Sequence, residues 1–186
     1  MRWFIALLIL STAQLARAQD APAAAPDKQS VPALLDALAE AQDTPAATGL
    51  EARIARQWDQ AAGPVVAMLL ARSSQEIAED DADEALADID AALTLAPDNI
   101  EVFHHRAMAR YHKGDVSGAY HDLDEVLRRE PRHFAAWRSL AEIAEAQGNS
   151  RAAYAAWQKL IALDPKTKGG EQKLEELKRK VEGEKS

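Results

Sequence analysis

Pro97, Pro131 and Pro165 stand 34 residues apart, and apolar residues at helical spacing fill both intervals. Self-similarity at a fixed period in this range is the mark of stacked supersecondary units, none of which can bury its apolar face alone. Alignment on the prolines yields three units, 66–99, 100–133 and 134–167, and other columns agree without adjustment. Ala85, Ala119 and Ala153 coincide, as do Arg72 with Arg106, Leu95 with Leu163, and the pairs Gly114-Asp115 and Gly148-Asn149.

The columns predict two antiparallel helices per unit. A small residue sits where they cross: Ser73, Ala107 or Ala141 on the first helix, Ala85, Ala119 or Ala153 on the second. Small side chains there let the helix axes approach to ~8–10 Å. Leu69, Phe103 and Trp137, with Ile89, Leu123 and Trp157, fill the space beside each crossing. The closing proline stops the second helix and turns the chain. Asp81 with Glu84, and Asp98 with Glu101, have the spacing of a capping box with aspartate as the cap.

These residues resemble the tetratricopeptide repeat, a 34-residue helix-turn-helix unit. The second unit matches at Phe103, Ala107, Tyr111, Gly114, Asp115, Ala119, Leu123 and Pro131. The third matches at Trp137, Leu140, Ala141, Gly148, Asn149, Ala153, Trp157 and Pro165. The first departs, with Ser73 at the small position, Glu76 where an aromatic is usual and Asp80 for the turn glycine, which predicts a longer or distorted turn. The expected fold is all-α, an α-α superhelix of about three units.

Around the array, 30–64 is expected to form a helical hairpin. Ser30 is the cap of its first helix, with Leu34, Leu35, Leu38 and Ala41 on one face; Thr44 caps the second, with Pro45 at its first position; Gly63-Pro64 ends it. Since Pro64 lies 33 residues before Pro97, the hairpin looks like a degenerate fourth unit. Residues 171–183 read as a terminal helix with Leu174, Leu177 and Val181 as a narrow apolar stripe and charge elsewhere, as an array needs at its end.

At the other end, Arg2, the apolar run Trp3 to Leu10 and Ala16-Arg17-Ala18 read as a secretory signal over 1–18, cleaved after Ala18, and 19–29 as a disordered Ala/Pro linker. The run is shorter than the ~20 residues a bilayer requires. Export places the chain in the periplasm or another extracytoplasmic space. Cleavage removes Arg2 and Arg17 and no acid, taking the formal charge from −8 to −10. So acidic a surface disfavours nucleic acid and anionic membranes as partners. Absence of cysteine excludes disulfides and thiolate metal sites.

The resemblance implies that first helices line a concave face that holds a protein or peptide partner. The residues carried there are Leu70, Ser74 and Ile77, then Glu101, His104, Met108, Tyr111 and His112, then Arg138, Glu142 and Glu145. Some family members clamp a C-terminal carboxylate with lysine, asparagine and arginine on successive first helices. Here those places hold Leu70 and Ser74, His104 and Met108, Arg138 and Glu142, so that ligand is not expected.

An alternative is a carrier of a metal or small ligand using His104, Met108 and His112, which recur at steps of four and are of types that bind copper or zinc. Eight residues of helix separate the two histidines by ~12 Å, too far to share one ion. His105 is expected to face elsewhere, and His121 and His133 show no ligand pattern. A third reading is self-association through Trp58 or Trp157. Catalysis is not expected: there is no cysteine, no G-x-S-x-G and no P-loop, and the acidic run 79–84 lacks the glycine of a calcium loop. No cofactor is implied.

Overall fold

The computed structural model describes residues 29–183; the signal at 1–18 and all of the 19–29 linker except Gln29 lie outside the described residues. The described chain is all-helical: α1 (Val31–Ala39), α2 (Thr44–Gln60), α3 (Pro64–Ala78), α4 (Ala82–Leu95), α5 (Ile100–His112), α6 (Val116–Arg129), α7 (Phe134–Ala146), α8 (Ser150–Leu163) and α9 (Gly170–Gly183). Among the described residues no helix is long and apolar enough to cross a membrane. Helices α3/α4, α5/α6 and α7/α8 pack as pairs, each pair leaning on the next, which is the expected helical repeat.

The crossing residues explain the pairing. Ser73, Ala85, Ala107, Ala119, Ala141 and Ala153 are all buried, while Leu69, Ile89, Leu123 and Trp157 fill the flanks. An added pair recurs with the period: Arg72 binds Asp88 in the first unit, and Arg106 binds Asp122 through Nε–Oδ2 at 2.9 Å and Nη2–Oδ1 at 2.7 Å in the second. A guanidinium fork on a carboxylate fixes the rotation of one helix against the other as well as their spacing.

The three intra-unit turns have one geometry. Amide N–H groups of Asp81, Asp115 and Asn149 donate to carbonyls five residues back, at 2.8, 2.8 and 2.9 Å. The residue before each has positive φ: Asp80 at 64°, Gly114 at 88° and Gly148 at 73°. The first turn is thus neither longer nor distorted; Asp80 takes the left-handed conformation that glycine adopts more readily.

Capping departs from the expected pattern at several helices. Asp43, not Thr44, caps α2 by accepting from the Ala46 N–H, and Asn99, not Asp98, caps α5 by accepting from Glu101 and Val102. Ser30 occupies the cap position of α1 without a side-chain cap bond. Pro64 opens α3, where its missing N–H costs nothing. His133, one period after Asn99, caps α7 with Nδ1 accepting from Ala136 N–H at 3.0 Å.

The hairpin α1/α2 does more than precede the array. α2 contacts α3 and α5, and α1 reaches forward to α8. Leu34, Leu35, Leu38, Ile54 and Trp58 share one buried cluster with Phe134, Ala141, Trp157, Leu160 and Leu177. The chain therefore folds back over the first helices of the repeats. Trp58 and Trp157 are both buried inside this cluster, which removes them as a surface for self-association. At the far end Trp157 Nε1 donates to the Gly170 carbonyl at 2.9 Å, and Leu177 seats α9 on α8.

Candidate functional site

The face formed by α3, α5 and α7 carries the candidate side chains, and the hairpin covers part of it. Three polar clusters mark where α2 meets that face, and a cleft remains open beside them.

The first cluster is centred on Glu101, buried at the start of α5. Its Oε1 accepts from His133 Nε2 at 2.7 Å, and its Oε2 lies 3.5 Å from His104 Nδ1. Burial alone would raise its pKa, but the hydrogen bonds from His104 and His133 outweigh that and hold Glu101 well below the usual carboxylate range. His133 is fully enclosed, with Trp58 stacked on its ring at 4.3 Å. Its Nδ1 accepts the Ala136 N–H, so its single proton sits on Nε2 and points at Glu101. His104 Nε2 lies 3.1 Å from Ser139 Oγ.

The second cluster surrounds His105. Its Nδ1 is 3.3 Å from both Ser73 Oγ and Ser74 Oγ, and its Nε2 is 3.5 Å from Asp59 Oδ1 of α2. His105 thus turns toward the groove beside His104, with ring centroids 6.2 Å apart, contrary to the expectation that it faces elsewhere.

The third cluster joins α2 to α7 and the end of α8. Arg138 Nη2 binds Glu51 and donates to Thr167 Oγ1 at 3.0 Å, with Asp164 Oδ2 at 3.9 Å. Asp164 is fully buried and no donor reaches either of its oxygens. Burial first, and the neighbouring Glu51 carboxylate second, push its pKa up to about 7, and Thr167 and then Arg138 offset this only in part.

The cleft has a volume of about 280 Å³ and is lined by Ser74, Ile77, His104, His105 and Met108. It is mostly apolar with imidazole edges, room for one large side chain of a bound peptide. Of the residues expected on the concave face, Ser74, Ile77, His104 and Met108 are brought together here. Leu70 is not: it is fully enclosed between α3 and its neighbours. Glu101 is likewise buried beneath the surface. Tyr111 packs half-buried in the core of the second unit, and His112 is exposed, edge-on to Tyr111 with centroids 6.0 Å apart. Arg138 is committed to Glu51. Glu145 is held by Lys173 at 2.9 Å and Lys180 at 3.1 Å from α9, and Glu142 stays exposed.

Sequence reasoning missed His105, His133 and Asp59. The signals were present for two of them: Glu101 and His105 are four residues apart on one helix, and His133 falls in the cap column with Asn99. Nothing in the pattern points to Asp59, because it reaches the site only by the fold-back of the hairpin.

No family model matches the chain. It is 26% identical over 156 residues to a TPR repeat-containing protein of Rhizobium etli, an alignment that spans 84% of this chain and 76% of that protein. The distance is large, but the likeness agrees with the 34-residue period and the paired helices.

Proposed function

We propose that the chain is a non-catalytic interaction module of the tetratricopeptide type that holds a protein or peptide partner outside the cytoplasm. The observation that carries the reading is the open cleft between α3 and α5, on the face that such repeats use for partners and not filled by the hairpin. Its Met108 and Ile77 suit an apolar anchor residue, with His104 and His105 as the remaining walls. The acidic surface as a whole favours a neutral or basic partner. Export rests on the sequence: the charged start, apolar run and small residues of 1–18 support a periplasmic or otherwise extracytoplasmic location.

A photo-crosslinking residue placed at Met108 tests the site, with the same residue at the exposed Thr94 on a second helix as control. A specific adduct from position 108 that is absent from position 94, and is lost when Ile77→Lys fills the cleft, is the expected result. Equal labelling from both positions would move the partner off this face. The reading as a carrier through His104, Met108 and His112 gains no support, because His112 does not line the cleft with the other two.

A further inference from the structure

We propose that Asp59, Glu101 and His105 form a zinc site that clasps the N-terminal hairpin to the first helix of the second repeat. One ligand atom from each lies within 4.8 Å of the others, with Asp59 contributed by α2 and the other two by successive turns of α5. This is a different set from the histidine and methionine face considered above; it shares His105 with the cleft but does not rest on the partner reading.

The tautomer of His105 carries the argument. Ser73 Oγ and Ser74 Oγ both donate to the Leu70 carbonyl, at 2.9 and 3.1 Å. With those protons committed, both hydroxyls present lone pairs to His105 Nδ1, which must then hold the ring's proton. The neutral ring is left with its Nε2 lone pair directed at the Asp59 carboxylate 3.5 Å away. A lone pair facing an anion, with the Glu101 carboxylate also close, is a repulsive arrangement that a second proton on the ring or a metal cation between the groups would relieve, and a second carboxylate within reach is what the metal would need. A metal-bound imidazole has this same setting: one nitrogen is turned to the metal, and the other donates to a neighbouring oxygen that fixes the ring.

The adjoining trio of Glu101, His104 and His133 is equally compact but cannot serve. His133 Nδ1 accepts the Ala136 N–H and its Nε2 proton goes to Glu101, so the ring has no lone pair to give. That trio instead holds Glu101 ionised and in place from behind.

Nitrogen and carboxylate ligands about 2.0–2.2 Å from zinc lie roughly 3.3–3.6 Å apart in a tetrahedral site. The His105–Asp59 separation is already there. Glu101 lies within 4.8 Å of both, and because His133 holds it in place, Asp59, whose side chain is 40% exposed, and the His105 ring must move onto it to close the remaining gap. Three protein ligands leave a fourth position for water on the side of the cleft, which also supplies an entry path.

The test is a zinc titration by calorimetry of the purified full chain, stripped with chelator, beside Asp59→Asn and His105→Gln, with His121→Ala as a control at an exposed histidine. The expected result is one zinc per chain, at least tenfold weaker in each of the two ligand variants and unchanged in the control. Cobalt should give a tetrahedral visible band in the parent that His105→Gln lacks. A histidine-detected NMR titration of the parent reads the site without any variant: zinc should shift the His105 ring and leave His121 alone. Binding of equal strength in parent and His105→Gln overturns the proposal. So does a parent that binds no zinc.

Discussion

Replacing Asp164 by asparagine should stabilise the protein, and by more at pH 8 than at pH 5. Asp164 is enclosed at the end of α8 with neither oxygen reached by a donor, and burial together with Glu51 lifts its pKa to about 7 from an ordinary 3.8. That gap corresponds to about 4 kcal/mol. The sign follows from proton linkage: between about pH 4 and 7 the folded protein keeps a proton that the unfolded chain has released, so stability falls as pH rises through this window and the full penalty stands above it. From pH 5 to 8 the carboxylate should cost the natural protein a further ~3 kcal/mol at most. Because relaxation of the surrounding side chains and water penetration offset part of that penalty, the expected difference is about 1–3 kcal/mol. Asparagine keeps the shape, carries no charge and can donate its amide to Glu51. Urea unfolding of both proteins at the two pH values reads the difference, and taking the variant against its parent cancels the other groups that titrate. If the stability gap between them is the same at pH 5 and pH 8, Asp164 does not titrate in that window and the reasoning fails.

Other consequences can be measured in the same way. Asp80→Gly should stabilise by about 1 kcal/mol, read as a higher urea midpoint, because Asp80 holds a left-handed conformation that glycine adopts without the Cβ penalty. His133→Ala should cost about 2–4 kcal/mol, since it removes the cap of α7 and leaves a buried Glu101 oxygen without its donor. His133→Asn should recover only the capping part. Trp58→Ala should cost about 3–5 kcal/mol and expose the hairpin to limited proteolysis ahead of the repeats, because the indole is the largest side chain joining α2 to α7.

The repeat itself was written in the sequence. Proline at a 34-residue spacing, small residues at the crossings and glycine at the turns constrain neighbours a few residues apart or one unit apart, and such constraints recur as columns that a single chain displays. Even the N-cap of α7 follows the period, although histidine disguises it. The site was legible where it lies on the first helices of the repeats, as with Ser74 and Ile77 on α3 and His104 and Met108 on α5. The hairpin was read as a helical pair, but its destination was not, because α1 meets α8 across more than a hundred residues and no periodicity links Leu34 to Leu160. That fold-back buries Trp58, ties Arg138 to Glu51, and places Asp59 against His105. Local pattern determines which faces are apolar. Only the tertiary structure decides which apolar faces meet, because burial of Trp58 and the leucines of α1 is satisfied equally well, in sequence terms, by any partner of the right shape.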